Sequence, residues 1–304
     1  MTTAPAPRAV RMRRRSSLHG TRTAYLYILP ALIIVVGIIY LGIGYNGFIS
    51  TQKWNGISPT MTPVGMDNYV RVFQDPVFWQ AISHIVIFAA ITVFAQMAIG
   101  LLMAMLLNTK VWFRNVYKVI MFLPVVIAPA ATSVAFREIL SPKGEVNGIL
   151  TALGLDDLTR AWIADPQVAL FALAIINIWT WTGFSFILYQ AALSQIDSSL
   201  IEAAQIDGAS TWRTIRSIII PQLSGTHATL VLIGVIGALK TFDIVYLTTG
   251  GGPGRSTEFL TTYIYKQAIN QFDAGYAAAL SVVLLLLSVA LTLVQMRAYK
   301  YGKD

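Results

Sequence analysis

Lys240 and Asp243 fall inside a long apolar stretch, where an unpaired charge is costly and marks a partner or a pathway. Three residues apart, they can face each other on a helix as an ion pair. Alternatively, Asp243 with Thr241 and Tyr246 lines a route for a polar solute. Asn177, Trp179, Trp181 and Tyr189 raise the same question in another apolar stretch. Aromatic faces with a few hydrogen-bonding groups suit a ring that presents both C–H patches and hydroxyls. Trp and Tyr also serve as anchors at membrane interfaces, so both readings stay open.

Other chemistry is poorly supplied. There is no cysteine, hence no disulfide framework, thiolate zinc site or Cys nucleophile. The three histidines, His19, His84 and His227, are scattered, so no metal site is expected. No nucleophile and base cluster together, so the chain is not expected to be an enzyme. Gly250–Thr257 invites a phosphate-loop reading. That motif needs Gly, four residues, then Gly-Lys-Ser/Thr. Here Thr249 stands where the first Gly belongs and Arg255 replaces the Lys. The plain reading is a flexible turn.

The elements that must position these groups are membrane spans. Hydrophobic residues make up 56% of the 304 and charged ones 12%, against about 25% charged in an average soluble domain. Crossing a hydrocarbon core of about 30 Å takes about 20 apolar residues as a helix. Six stretches qualify: 24–49, 81–107, 117–136, 168–190, 224–248 and 276–296. Pro30, Pro124 and Pro129 lie inside spans, where they can kink them. Gly37, Gly42, Gly44 and Gly100 suit close helix packing. Gln96 and Thr92 are expected to hydrogen-bond between helices, and His84 to sit at the membrane interface. The first span is too long for a cleavable signal peptide and no cleavage site follows it. The long outer loops 50–80 and 137–167 are expected to carry short helices.

Orientation follows from Lys and Arg. Arg8, Arg11, Arg13, Arg14, Arg15 and Arg22 crowd the N-terminal tail. Lys110, Arg114 and Lys118, then Arg213 and Arg216, then Arg297, Lys300 and Lys303 fall on the same side. That side is the cytoplasm, and both termini lie there. The net charge of +8 is thus a topology signal and an attraction to anionic lipid, not a nucleic-acid arm. The organisation is a basic cytoplasmic tail (1–23), a six-span domain (24–298) and a C-terminal cytoplasmic tail (299–304).

Between spans four and five lies a polar cytoplasmic elbow. Ser199 to Glu202 fits a capping box, with Ser199 as the N-cap. Two turns follow, from Leu200 to Asp207. Gly208 can then take the left-handed conformation that ends a helix. Ser210 or Thr211 can cap a second helix, 212–220, closed by Pro221. Ala203 and Ala204 keep the first helix slim. By spacing alone this is a connector between spans, or a helix shaped to enter a partner's groove.

The elbow from Glu202 to Pro221 resembles the EAA loop of ABC-importer permeases: Glu202, Ala203, Ala204, Asp207, Gly208, Ala209, Ile218 and Pro221 all fit. Lys240–Gly254 and Ala274–Ala279 resemble the maltose/multiple-sugar branch, in the first of its two permease subunits. The resemblance extends over all six spans. It implies an all-α membrane protein with six transmembrane helices and a cytoplasmic coupling helix, the type I ABC importer permease fold. Glu202, Ala203, Ala204, Asp207, Gly208 and Ala209 would then dock on an ATPase. The implied partners are a second permease, two ATPase subunits that use ATP and Mg, and an extracytoplasmic substrate-binding protein. The implied cargo is a sugar, and the implied place is a bacterial or archaeal inner membrane. No cofactor is expected in this chain. A secondary transporter or channel for a polar solute is the alternative. It would ordinarily show an internal repeat, and none is evident.

Overall fold

The computed structural model describes residues 21–108 and 112–301. The expected tail up to Gly20, Lys110 and the last three residues lie outside the described residues. The chain forms two compact units that divide after Phe48. The first unit carries α1 (Thr21–Ile34), which runs through a π-helical segment (Val35–Tyr40) into α2 (Leu41–Ile49). Pro30 sits inside α1. Val35–Ile49 has no buried side chain, as befits a helix apolar all round. A Cβ at Gly37, Gly42 or Gly44 would meet nothing within 4 Å among the described residues.

In the second unit a short antiparallel pair comes first, β1 (Gln52–Lys53) with β2 (Thr62–Pro63), Gln52 opposite Pro63 and Lys53 opposite Thr62. Then follow α3 (Asp67–Gln74) and the 31-residue α4 (Pro76–Leu106). Asp75 caps α4, accepting from the Val77 amide at 2.8 Å, and Pro76 takes the first helical position, where a missing N–H costs nothing. Next come α5 (Arg114–Val126), α6 (Pro129–Ile139), α7 (Glu145–Ala152) and α8 (Ala169–Leu193). The elbow holds α9 (Ser198–Ile206), α10 (Thr211–Thr214), a π-helical segment (Ile215–Ile219) and α11 (Ile220–Gln222). The chain ends with α12 (Ser224–Lys240), α13 (Asp243–Thr248), α14 (Leu260–Tyr265), a π-helical segment (Lys266–Asn270) and α15 (Ala274–Tyr301).

Four of the six expected spans are continuous helices: Tyr27–Ile49, Pro76–Leu106, Ala169–Leu193 and Ala274–Tyr299. The other two are broken: the span expected at 117–136 bends at one of the prolines expected to kink it, and the one expected at 224–248 is interrupted where no break was expected. α5 and α6 bend by 95°. Pro129 disfavours helical geometry at Ala128 before it, and Ile127 and Ala128 are extended, with ψ of 133° and 135°. The helix through Gln222 meets α12 at 63°. Pro221 therefore sits inside the last turn before a bend and does not close the helix. α12 stops at Lys240, because Thr241 turns extended at ψ 117°.

Glycine lets these helices approach. A Cβ on Gly100 of α4 would come within 2.9 Å of the Phe186 amide on α8. One on Gly183 of α8 would come within 2.1 Å of the Met121 carbonyl on α5. The core divides in two. One cluster gathers Phe78, Phe88, Leu173, Phe259, Tyr276 and Leu280. The other joins Ala104, Phe186, Tyr189, Leu193, Leu223 and Leu230. The expected loop helices are α3 and α7.

Candidate functional site: a membrane cavity and an exposed elbow

Helices α4, α5, α8 and α12 enclose a cavity of about 510 Å³ together with the break before α6 and the turn from Lys240 to Ile244. Five of the eight candidate pathway residues line it: Asn177, Trp181, Lys240, Thr241 and Asp243. Tyr189 is buried elsewhere, its hydroxyl 2.7 Å from His227 Nδ1. Trp179 stands apart, packed edge-on against Phe136 at 5.2 Å. Tyr246 also stands apart, stacked on Phe242 at 5.1 Å and edge-on to Tyr265 at 4.9 Å. Phe242 itself faces the cavity, so this aromatic group backs its wall.

The ion pair expected between Lys240 and Asp243 is absent from the ion pairs of the described residues. Their three-residue spacing assumed one continuous helix. The extended Thr241 puts them on separate helices, and both side chains are exposed at the cavity. Gln96 bonds between helices as expected, donating to Asn177 Oδ1 at 2.9 Å and to the Asn177 carbonyl at 3.2 Å. Thr92 does not: its hydroxyl bonds the Phe88 carbonyl one turn back in its own helix. Thr180 and Ser185 also line the cavity, and sequence reasoning missed them. Thr180 lies three residues after Asn177 and Ser185 four after Trp181, and that spacing on span four was the available signal.

The elbow has a definite shape, built from local bonds. Asp197, not Ser199, is the N-cap of α9, and its carboxylate accepts from the Ser199 amide at 3.0 Å. The expected capping box is therefore not formed. The helix begins one residue before Ser199, which carries Glu202 past the third position. The backbone and side-chain bonds from Ser199 hold the exposed Asp197 carboxyl below its usual range. Gly208 takes φ +76°, the left-handed stop the sequence predicted. The Ala209 amide reaches back to the Ala204 carbonyl at 2.9 Å. Ser210 then caps α10, accepting from the Arg213 amide at 3.3 Å. Glu202, Ala203, Asp207 and Gly208 are exposed, Ala204 and Ala209 partly so. Ile206 is 87% exposed and Trp212 69%.

The glycine-rich turn Gly250–Thr257 is not the loose one expected. Gly250, Gly251 and Gly254 take positive φ. Thr249 and Thr257 share a hydroxyl bond at 2.8 Å, and Thr257 donates to the Gly252 carbonyl at 2.6 Å. Beneath lies Glu258, 1% exposed, paired with Lys266 and accepting from Thr262. A Cβ on Gly251 would come within 2.8 Å of both Glu258 Oε1 and Lys266 Nζ. Glycine is required there so that the turn can sit on the ion pair. His84 meets the Glu258 carbonyl at 3.0 Å. A helix, α13, precedes the turn, where a phosphate loop has a strand.

Broken helices around a mostly apolar cavity with a few polar groups, and a shaped helix bare on one side, fit a membrane permease subunit. The family description "Binding-protein-dependent transport system inner membrane component" matches residues 96–301, and the chain belongs to that family. The chain is 37% identical over 287 residues to the "Probable ABC transporter permease protein YurN" of Bacillus subtilis, covering 92% of this chain and 97% of that one. It is 34% identical over 283 residues to the "Lactose transport system permease protein LacF" of Rhizobium radiobacter, covering 92% and 94%. A solved bacterial alginate ABC transporter, in complex with an alginate pentasaccharide-bound periplasmic protein, matches at TM-score 0.78 and 25% identity, over 90% of this chain and 92% of that one. The fold is that of type I ABC importer permeases, and the protein is a sugar ABC importer permease of the inner membrane. The secondary-transporter alternative is not favoured.

Proposed function

We propose that this chain forms half of a sugar pathway and receives the motion of a separate ATPase through the Glu202–Ala209 elbow. The carrying observation is the elbow itself. It is fixed at both ends by its own caps and a left-handed glycine, yet its outer face is bare. That is the form of a helix that enters a partner's groove. Glu202, Ala203, Ala204, Asp207, Gly208 and Ala209 are the docking surface. Closure of two ATPase subunits, using ATP and Mg, moves the elbow as a rigid lever. α10 and α11 pass that movement across the 63° bend into α12, which lines the cavity.

In this reading both termini and the elbow lie in the cytoplasm, as the Lys and Arg distribution supports. The second permease completes the pathway, and an extracytoplasmic binding protein delivers the sugar. Asn177, Trp181, Lys240 and Asp243 contact it. Lys240 and Asp243 bring opposite charges to one cavity, which favours a neutral sugar over a phosphorylated one.

The test is ATP-driven uptake by the complete transporter in vesicles. Gly208→Val forces a β-branched residue to φ +76°, where such residues are strained. Uptake falls about tenfold or more while membrane insertion is retained. Normal uptake by this variant rejects the lever. Native mass measurement of the purified complex tests the pairing: two copies of this chain and no second permease reject the heterodimer.

A further inference from the structure

The elbow hangs between two helices that both reach the cavity. The chain leaves α8 at Leu193 and enters α12 at Ser224. Tyr189 stands in the last turn of α8 and His227 in the first turn of α12. The Tyr189 hydroxyl lies 2.7 Å from His227 Nδ1, and the two rings meet edge-on with centroids 5.3 Å apart. The pair is 38 residues apart in sequence, so it closes a loop that holds the entire elbow.

This contact is built into the second core cluster. Tyr189 is 0% exposed and His227 is half-buried. With Tyr189 gather Leu193, Leu223, Leu230 and, from α4, Ala104. Ile196 and Ile219, one from each arm of the elbow, pack on the same cluster. A hydrogen bond in such a water-poor place is stronger than one in water. Leaving the tyrosine hydroxyl unanswered there costs its full desolvation. The two roots of the elbow are therefore tied to each other, while its helices are capped only by near neighbours.

What each root carries gives the tie its use. Further along α8 stand Ser185, Trp181 and Asn177, and further along α12 stand Leu230, Gly234 and Lys240; all six line the cavity. Tyr189 and His227 do not. A push on the elbow reaches α12 through helical turns and the 63° bend. Towards α8 the chain is not helical from 194 to 197, so backbone alone transmits little there. The tie supplies the missing link.

We propose that Tyr189 and His227 yoke α8 to α12 at the root of the elbow, so that one ATPase stroke moves both walls of the cavity together. They are positioning residues and touch no cargo. This deepens the reading of the elbow as a lever and rests on it.

The experiment uses the complete transporter in vesicles with its binding protein. Sugar uptake and ATP hydrolysis are measured on one sample, which gives sugar moved per ATP. Tyr189→Phe keeps the ring, removes the hydroxyl and lowers that ratio about fivefold. His227→Leu lowers it as much. The double variant is no worse than either single one, because a single shared bond is lost. His227→Gln, whose amide can meet the hydroxyl, restores most of the ratio. A purely structural role would lower the melting temperature and the folded yield and leave the ratio of the folded fraction unchanged; that result overturns the proposal. So do additive losses in the double variant. Gly208→Val separates this proposal from the reading beneath it. Normal uptake by Gly208→Val rejects the lever, and the yoke with it. Uptake lost in Gly208→Val, with a wild-type ratio in Tyr189→Phe and His227→Leu, rejects the yoke alone.

Discussion

The elbow and the region around Asp75 are held together in opposite ways. In the elbow the capping bonds are short-range: Asp197 to Ser199, Ser210 to Arg213, Ala209 back to Ala204. Around Asp75 the ties are long-range, and its carboxylate accepts from the hydroxyls of Tyr263 and Tyr276, 188 and 201 residues away. Arg71 pairs with Asp273 at 2.6 Å and lies 3.9 Å above the Tyr276 ring. This region ties together α3, α4, α14 and α15. The caps of the elbow tie only near neighbours, and Ile219 packs its second half on the second core cluster. A locally fixed helix can move as a unit without tearing the core, whereas a cross-tied end gives a fixed base to move against.

Breaking the cross-tied region around Asp75 should therefore cost global stability. The largest effect is expected at Gly275, where a Cβ would come within 2.0 Å of the Gln52 carbonyl. Backbone cannot step aside cheaply, so Gly275→Val loses about 4 kcal/mol or more, read as little folded protein by size-exclusion in detergent. Asp75→Ala leaves two tyrosine hydroxyls without an acceptor and costs about 3 kcal/mol, read as a fall in melting temperature. Burial alone would raise the Asp75 carboxyl, but Tyr263, Tyr276, the Val77 amide and Arg255 hold it below its usual 3.8. A lowered folded value means stability that is present above the unfolded value and lost as pH falls through the folded one. Acidification from about pH 5 to about pH 3 should lower the melting temperature of the wild type more than that of Asp75→Asn.

Breaking the elbow should behave otherwise. Ser210→Ala loosens α10 by about 1 kcal/mol. It lowers uptake a few-fold with the melting temperature unchanged. A global destabilisation by Ser210→Ala would erase the contrast between the two regions.

The same contrast governs what a linear reading can find. Gly208 as a left-handed stop and Ser210 as a cap were legible, because each is a local rule about a residue and its near neighbours. Ser199 failed narrowly: Asp197, a charged acceptor two residues earlier, won the cap. The break at Lys240–Asp243 was missed because the apolar runs on either side let one span be drawn through both charges. Hydropathy counts residues and does not see ψ. Asp75 with its two tyrosines and Glu258 with Lys266 left little trace in sequence, since nothing local predicts which distant hydroxyl or ammonium will arrive. Asn177 was found from its type, and Gln96 beside it from its depth in an apolar stretch. That the two meet is a fact of packing.

The 95° break between α5 and α6 has an electrical consequence. Irregular backbone at membrane depth persists only where protein or water answers its polar groups, and Val125 to Pro129 line the cavity. A cavity that wets its own backbone also offers a foothold to protons and small ions. The membrane potential drives each elementary charge with about 2.3 kcal/mol per 100 mV. A transporter built on this chain must therefore keep one end of the cavity insulated at every moment of its cycle.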